Sequence, residues 1–316
     1  MSRAFVFPGQ GSQTVGMGRD VAEAFACARE VFQEIDDALD QNLTRLMFEG
    51  PDEDLLLTEN AQPAIMAVSL AVMRVLAVQG GVDLTKTAAY VAGHSLGEYS
   101  ALAAAGCFSI ADTARLLKTR GRAMLDAVPV GQGAMAALMG LDPADVAAIA
   151  AEAAEAEDGG VCTAANDNAP GQVVVSGDTA AVERAIEIAK ERGAKRAILL
   201  PVSAPFHCAL MAPAADVMGR ALATVSMSPI AVPLIANITA DVVSEPAGIR
   251  RLLVEQVTGM VRWRECVLTM KDRGVDSLIE IGAGKVLSGL ARRIDRDLGA
   301  TPVGTPGTIE EFLKNL

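Results

Sequence analysis

The stretch Val91-Ala92-Gly93-His94-Ser95-Leu96-Gly97, followed by Glu98-Tyr99-Ser100-Ala101-Leu102-Ala103-Ala104-Ala105-Gly106, narrows the fold more than any other part of the chain. An apolar run ends in Gly-x-Ser-x-Gly, and an alanine-rich run follows at once. Strand, sharp turn and helix form the setting in which a serine hydroxyl is lifted clear of the backbone, and small neighbours permit the turn. The helix start beyond it offers free N–H groups and a positive dipole end where an oxyanion can form. A corner of this kind belongs to a layered α/β protein. The plain alternative is a glycine-rich strand–helix corner with no chemistry attached.

The rest of the chain keeps the same alternation. Residues 4–7 and 88–92 read as strands, and 61–78, 97–105 and 110–128 as helices. At Gly131-Gln132-Gly133 the pattern changes. Strand 134–140, helix 143–156, strand 161–166, the turn Asn168-Ala169-Pro170-Gly171, strand 172–176, helix 179–192 and strand 195–200 follow in order. This βαββαβ order predicts a ferredoxin-like subdomain. It would occupy residues 130–197, inserted between segments 1–129 and 198–316 of a large α/β-hydrolase-like domain with a parallel sheet core. The large domain is then expected to resume with strand 197–202, helix 207–224, helices 246–259 and 263–273, strand 277–281 and helix 285–295.

Composition excludes several classes. The chain is 51% hydrophobic, 21% charged and only 3% aromatic, so Ala, Val and Leu carry a large core. A net charge of -12 argues against a broad nucleic-acid surface, which needs a dense basic field. Five dispersed cysteines without a C-x-x-C, beside two histidines, argue against a zinc site. An odd set of cysteines fits reduced thiols in a cytoplasm. Phe5-Val6-Phe7 is too short for the apolar core of a signal peptide. Two stretches, 197–215 and 221–240, lack charge over membrane-like lengths. The prolines at 201, 205 and 213, and at 229 and 233, interrupt both, so they are expected to be buried segments and not spans.

A serine nucleophile needs a base. His94 precedes Ser95 directly, and adjacent side chains diverge. That leaves His207, in Pro-Phe-His-Cys just beyond the expected strand 197–202. Loops after parallel strands gather on one sheet edge, where sites form. A lone histidine is ordinarily a satisfied core residue; scarcity favours His207 here. No acid stands out as a third member. Cys208 is a rival nucleophile, but it has no elbow.

The helix 110–128 holds an arginine in an unexpected place. With Leu116 at zero and about 100° per residue, Arg120 falls at roughly 40°, inside the apolar stripe with Leu117 at roughly 100° and Met124 at roughly 80°. Arg115, Lys118, Arg122 and Asp126 fall together at roughly 200–280°, on what reads as a solvated face. An inward guanidinium needs an anion, since stripping the partner from a buried charge costs about 3–5 kcal/mol. Either an internal carboxylate pairs with it, or it is a bidentate clamp for a substrate carboxylate. Two glycine-rich stretches, Pro8-Gly9-Gln10-Gly11-Ser12-Gln13 and Ile281-Gly282-Ala283-Gly284-Lys285, look like phosphate loops. Both lack the full pattern and read as strand–helix turns facing the same sheet edge, the first able to supply an oxyanion donor.

Taken in order, FVFPGQGSQTVGMG, GHSLGEYSAL, LLKTRGRAM, GAMAALMGL, NDNAPGQVVVSG, PVSAPFHCALM and IEIGAGKVLSGL resemble the malonyl-CoA:acyl carrier protein transacylases, across nearly the whole chain. They also resemble the acyltransferase domains of polyketide and fatty acid synthases. The resemblance implies an S-malonyltransferase working by ping-pong transfer. Malonyl-CoA would acylate Ser95 with His207 as base, and the phosphopantetheine thiol of holo acyl carrier protein would collect the acyl group for fatty acid or polyketide extension. It implies backbone oxyanion donors at Gln10 and Leu96, and Arg120 on the malonyl carboxylate. It also implies that the Gln256 carbonyl orients the histidine, although VEQVTGMVRW departs from the commoner Asn-Pro-Val-Gln-Trp run. Gln62 and Asn168 match polar pocket positions, and Met124 is expected to line the same pocket. Phe206 resembles the bulky residue of malonyl-selective forms. No metal or tightly bound cofactor is implied. The expected partners are the coenzyme A thioester and the carrier protein, with neither nucleic acid nor membrane, for a cytoplasmic monomer. An acidic carrier would dock on basic residues. Arg184, Lys190, Arg192, Lys195 and Arg196 form one candidate cluster; Lys271, Arg273, Lys285, Arg292 and Arg293 form the other. Three rival readings remain: a serine hydrolase or thioesterase acting on an acidic acyl ester, a non-catalytic scaffold, and a transferase of an uncharged acyl group such as acetyl.

Overall fold

Short apolar runs buried on both faces set the layers of this protein. The computed structural model describes residues 2–155 and 159–316. The strands among them are β1 (Arg3–Phe7), β2 (Tyr90–Gly93), β3 (Gly133–Met139), β4 (Cys162–Ala169), β5 (Gln172–Asp178), β6 (Arg196–Leu199), β7 (Leu234–Ile235), β8 (Val242–Val243), β9 (Ser277–Ile281) and β10 (Gly299–Val303). One sheet runs β10-β9-β1-β2-β7-β8. Its first five strands pair in parallel, and β8 closes the edge antiparallel. The parallel strands are covered on both faces, as such sheets require. Phe5, Phe7 and Val91 join the cluster that holds Ile65, Val68 and Val72 of helix Thr58–Gly80. Ala4, Val6 and Ala92 point the other way, into the cluster around Trp263, Val267 and Met270. The unbroken apolar run of each strand in the sequence reflects this two-sided burial.

The second sheet is antiparallel, in the order β4-β5-β3-β6. Its chain order is β3, helix Pro143–Ala154, β4, β5, helix Thr179–Glu191 and β6, the expected βαββαβ. The last residue expected in the first of these helices, 156, lies outside the described residues. One face packs Ala136, Leu138, Val173 and Val175 against Ile149 and Val182 of the two helices. From the other face, Met135, Ala165 and Val174 join the core of the first sheet. A strap ties the two layers near their contact. The Val261 N–H donates to the Ala165 carbonyl at 2.9 Å, the Asp167 N–H donates to the Val261 carbonyl at 3.0 Å, and Arg264 pairs with the buried Asp167 at 2.7 Å.

Three expectations need correction. No strand 197–202 exists in the parallel sheet. Residues 196–199 spend their ladder bonds on β3, at the edge of the small sheet, and Pro201, with no N–H, cannot extend them. His207 therefore arrives on a loop from the small sheet, not on a parallel strand. The turn expected at 168–171 is confined to Pro170-Gly171. Asn168 and Ala169 stay in β4, where irregular register turns the strand. Lys118 is not solvated. Arg115 and Arg122 on the same face of helix Ile110–Ala127 are exposed as expected, but Lys118 lies against helix Thr58–Gly80 and is 8% exposed, with its ammonium 2.9 Å from Glu59 and 2.8 Å from the Asn60 amide oxygen. The uncharged stretches 197–215 and 221–240 hold short strands, loops and part of the helix Ala212–Thr224. Among the described residues, the one helix long and apolar enough to cross a membrane is Thr58–Gly80, and it is a core helix.

Candidate active site

β2 ends at Gly93, and helix Gly97–Ala104 begins four residues later, so the chain reverses within one tight turn. Glycine is required at both ends of it. A β-carbon on Gly93 would overlap the Gly97 carbonyl, and one on Gly97 would overlap the Phe7 carbonyl of β1. Ser95 sits between them at φ 53°, in the left-handed region that L-residues rarely enter. Asn237, buried just beyond β7, holds this shape. Its side-chain oxygen accepts the Ser95 N–H at 2.8 Å, and its amide donates to the Gly93 carbonyl at 2.7 Å.

The Ser95 hydroxyl lies 2.8 Å from Nε2 of His207. His207 also sits at positive φ, 60°. Two such non-glycine residues facing each other place local strain at one spot, about 1–3 kcal/mol each. Nδ1 of His207 lies 2.8 Å from the Gln256 main-chain carbonyl, so Nδ1 carries the proton and Nε2 is left to accept one. Burial, reinforced by the Arg120 charge, pushes the imidazole down to about 3, so it is neutral at ordinary pH. His94 turns the other way, as adjacency required. Its Nε2 lies 2.8 Å from the Asn168 side-chain oxygen, and burial lowers its pKa. The Cys208 thiol is buried 3.1 Å from the Pro205 carbonyl, and burial raises its pKa.

Arg120 is 2% exposed, on the stripe that its helix phase predicted. The two readings of it part here. Among the described residues it has no ion pair. Its Nη1 donates to the Gln62 side-chain oxygen at 2.7 Å. Its Nη2 donates to the Ser95 hydroxyl at 3.1 Å and to the Gln256 side-chain oxygen at 2.9 Å. Its Nε is buried without a partner. Gly121 allows this approach, because its missing β-carbon lets the helix meet the Thr58–Glu59 backbone. The result is a buried cation held only by neutral groups, 3.1 Å from the candidate nucleophile.

Two residues expected to supply backbone donors line the same cavity as Ser95. The Ser95 N–H is spent on Asn237. The N–H groups of Leu96 and Gln10 have no protein acceptor among the described residues. One heads the helix, and the other lies on the turn after β1. Ser95, His207, Arg120, Gln10, Leu96, Gln62, Asn168, Phe206 and Met124 line one cavity of about 440 Å³, walled on its far side by Met135, Asn166 and Val174 of the small sheet. Gln256 lies behind it.

Motif reading missed the support beneath these groups. Expected only for its carbonyl, Gln256 also donates from its side chain to the Ser95 carbonyl at 3.0 Å and to the Glu98 carboxyl. Glu98 also accepts the Asn237 N–H at 2.7 Å. Burial pushes its pKa up to about 8, against the pull of these donors and of Arg120. Glu98 stands in the elbow motif itself; Asn237 has no motif to mark it. The basic clusters are largely engaged within the chain. Arg192 pairs with Glu152, Lys190 with Glu187, Lys271 with Asp295 and Arg273 with Asp241, while Arg184 holds the Ala153 and Gly159 carbonyls. Lys285 is exposed on a turn that packs at Gly284 against Ser12 of the Gln10 loop.

Known proteins resemble this chain over nearly its whole length. The family described as acyl transferase domain matches residues 4–295. A malonyl CoA-acyl carrier protein transacylase of Bacillus subtilis is 45% identical over 313 residues, covering 99% of this chain and 96% of its own. The crystal structure of an acyl-carrier-protein S-malonyltransferase from Bartonella henselae superposes with a TM-score of 0.96 at 57% identity, covering 100% and 99% of the two chains. A malonyl-transacylase solved in complex with its type II PKS acyl-carrier protein superposes with a TM-score of 0.96 at 41% identity, covering 100% of both. The chain therefore belongs to the acyl transferase domain family and, within it, to the malonyl CoA-acyl carrier protein transacylases.

Proposed function

We propose that this protein moves malonyl from coenzyme A to the phosphopantetheine thiol of an acyl carrier protein, through an ester on Ser95. The observation that carries the reading is a buried arginine with no ion pair among the described residues, within hydrogen-bond reach of a serine–histidine pair. Its Nη2, which reaches the Ser95 hydroxyl at 3.1 Å, suits a carboxylate carried by the acyl group. The names of the B. subtilis relative and of the carrier-protein complex support the donor and the acceptor.

In the first half-reaction His207 Nε2 takes the Ser95 proton as Oγ attacks the thioester carbon. The Leu96 and Gln10 N–H groups hold the resulting oxyanion. The C–S bond then breaks, and His207 returns the proton to the leaving coenzyme A sulfur. The second half-reaction runs the same steps with the carrier thiol as nucleophile and Ser95 as leaving group. The Gln256 carbonyl supports the imidazolium in place of a carboxylate. Each step uses groups of this one chain, so the reading needs no bound cofactor and a monomer suffices. It keeps the protein in the cytoplasm, where its five free cysteines are at home, in fatty acid or polyketide extension. We assign residues 130–197 to an inserted subdomain that supplies one wall of the cavity, and 1–129 with 198–316 to the catalytic domain.

Intact mass spectrometry tests the proposal. Malonyl-CoA should add one malonyl to the wild-type chain and none to Ser95→Ala. Holo carrier protein should then discharge the ester much faster than water does. Discharge by water at the same rate would favour the hydrolase reading, and no label on wild type would refute acyl transfer.

A further inference from the structure

The guanidinium that awaits a carboxylate and the loop that holds the oxyanion are joined by an unbroken chain of hydrogen bonds. Arg120 Nη1 donates to the Gln62 side-chain oxygen at 2.7 Å. The Gln62 amide nitrogen donates to the Thr58 hydroxyl at 2.9 Å. The Thr58 hydroxyl donates to the Gln10 side-chain oxygen at 2.8 Å. The polarity is forced at the arginine end. Arginine has only donors, so Gln62 must offer it oxygen and turn its NH2 to Thr58. Having accepted that bond, the Thr58 hydroxyl has one hydrogen, and it goes to Gln10. Thr58 and Gln62 are buried, and Thr58 does not line the cavity.

We propose that Thr58 is a positioning residue that couples carboxylate recognition at Arg120 to the oxyanion donor at Gln10. The inference rests on the function proposed above. Gln10 stands on an irregular turn, and its main-chain N–H must point at a developing charge. Anchoring its side chain to the first turn of a core helix fixes that direction. The buried cation polarises each bond of the relay in the same sense, so the links reinforce one another. An acyl group that engages Arg120 is thereby read by the same network that sets the oxyanion donor.

The test is the single-turnover rate of Ser95 acylation by malonyl-CoA, followed by quenched-flow mass spectrometry. Thr58→Val keeps the shape and removes the hydroxyl. It should slow acylation about 10–100-fold, less than the loss of a whole oxyanion donor. Thr58→Ser should restore most of the rate. Gln10→Met keeps the backbone N–H but removes the acceptor, and should also slow the step. If the relay acts through Gln10, Thr58→Val in the Gln10→Met background adds less than about twofold. Wild-type acylation rates in Thr58→Val or in Gln10→Met would overturn the proposal, as would multiplicative effects in the double variant or failure of Thr58→Ser to rescue. Should Thr58→Val fail to fold, Gln10→Met alone still decides. A wild-type chain that takes up no malonyl would instead overturn the functional reading.

Discussion

Gly121→Ala should cost this protein both stability and carboxylate recognition, through one cause. Gly121 lies where helix Ile110–Ala127 crosses the start of helix Thr58–Gly80. A β-carbon there would stand 2.7 Å from the Glu59 nitrogen and 2.8 Å from the Thr58 oxygen. Normal contact needs about 3.5 Å, so the helices must part by about 1 Å. Both partners are backbone, so no side chain can swing aside. Overpacking of this kind costs about 1–3 kcal/mol. At about 2–4 °C per kcal/mol, Tm should fall by several degrees. The same opening stretches the Arg120–Gln62 bond from 2.7 Å to beyond hydrogen-bond range and displaces the guanidinium next to Ser95. A misplacement of about 1 Å at a reacting centre costs about 100-fold, so kcat/KM for malonyl-CoA should fall by that order. Thermal unfolding and steady-state transfer to holo carrier protein are the two assays. Unchanged values in both would refute the packing argument. A lowered Tm with full kcat/KM would refute the link between the helix crossing and the arginine.

The state of His207 predicts an unusual pH profile. Its base form is needed, and burial with the Arg120 charge holds its pKa down at about 3. Acylation kcat/KM should therefore stay level as pH falls from 7 to 5, below the Glu98 value of about 8, and a midpoint at the ordinary histidine value of 6.5 would refute the assignment. The same depression has a stability consequence. Between about 3 and 6.5 the unfolded chain binds a proton that the folded one does not. This contribution to stability is complete above 6.5 and drains away as pH falls, which urea titrations across that range can follow. Phe206, buried beside His207 in the cavity wall, should exclude a 2-methyl branch. Phe206→Ser should raise kcat/KM for methylmalonyl-CoA relative to malonyl-CoA by about tenfold or more; an unchanged ratio would sink the idea.

Local chemistry was enough for the reacting groups. A serine between two glycines, after an apolar run and before an alanine-rich one, has one sensible backbone shape, and the overlaps that any side chain at Gly93 or Gly97 would create are the reason. Helical phase alone put Arg120 inside, because the angle of a residue about its helix does not depend on the rest of the protein. Scarcity singled out His207 without any knowledge of the fold. The supporting groups were of another kind. Asn237 reaches Ser95 across 142 residues, the Gln256 side chain reaches it across 161, and Thr58 meets Gln10 across 48. None of these contacts leaves a periodicity or a spacing behind, since a hydrogen bond depends on where two distant segments come to lie. The run 196–199 shows the same limit. Its apolar pattern suits an edge strand of either sheet, and only pairing with β3 assigns it to the small one. Lys118 had the phase of a solvated residue, and the crossing with helix Thr58–Gly80 buried it. The chain's own chemistry determined what could react. Tertiary packing decided what holds the reacting groups in place, because strain at Ser95 and His207, a neutral imidazole and an unpaired arginine persist only inside an environment assembled from the whole chain.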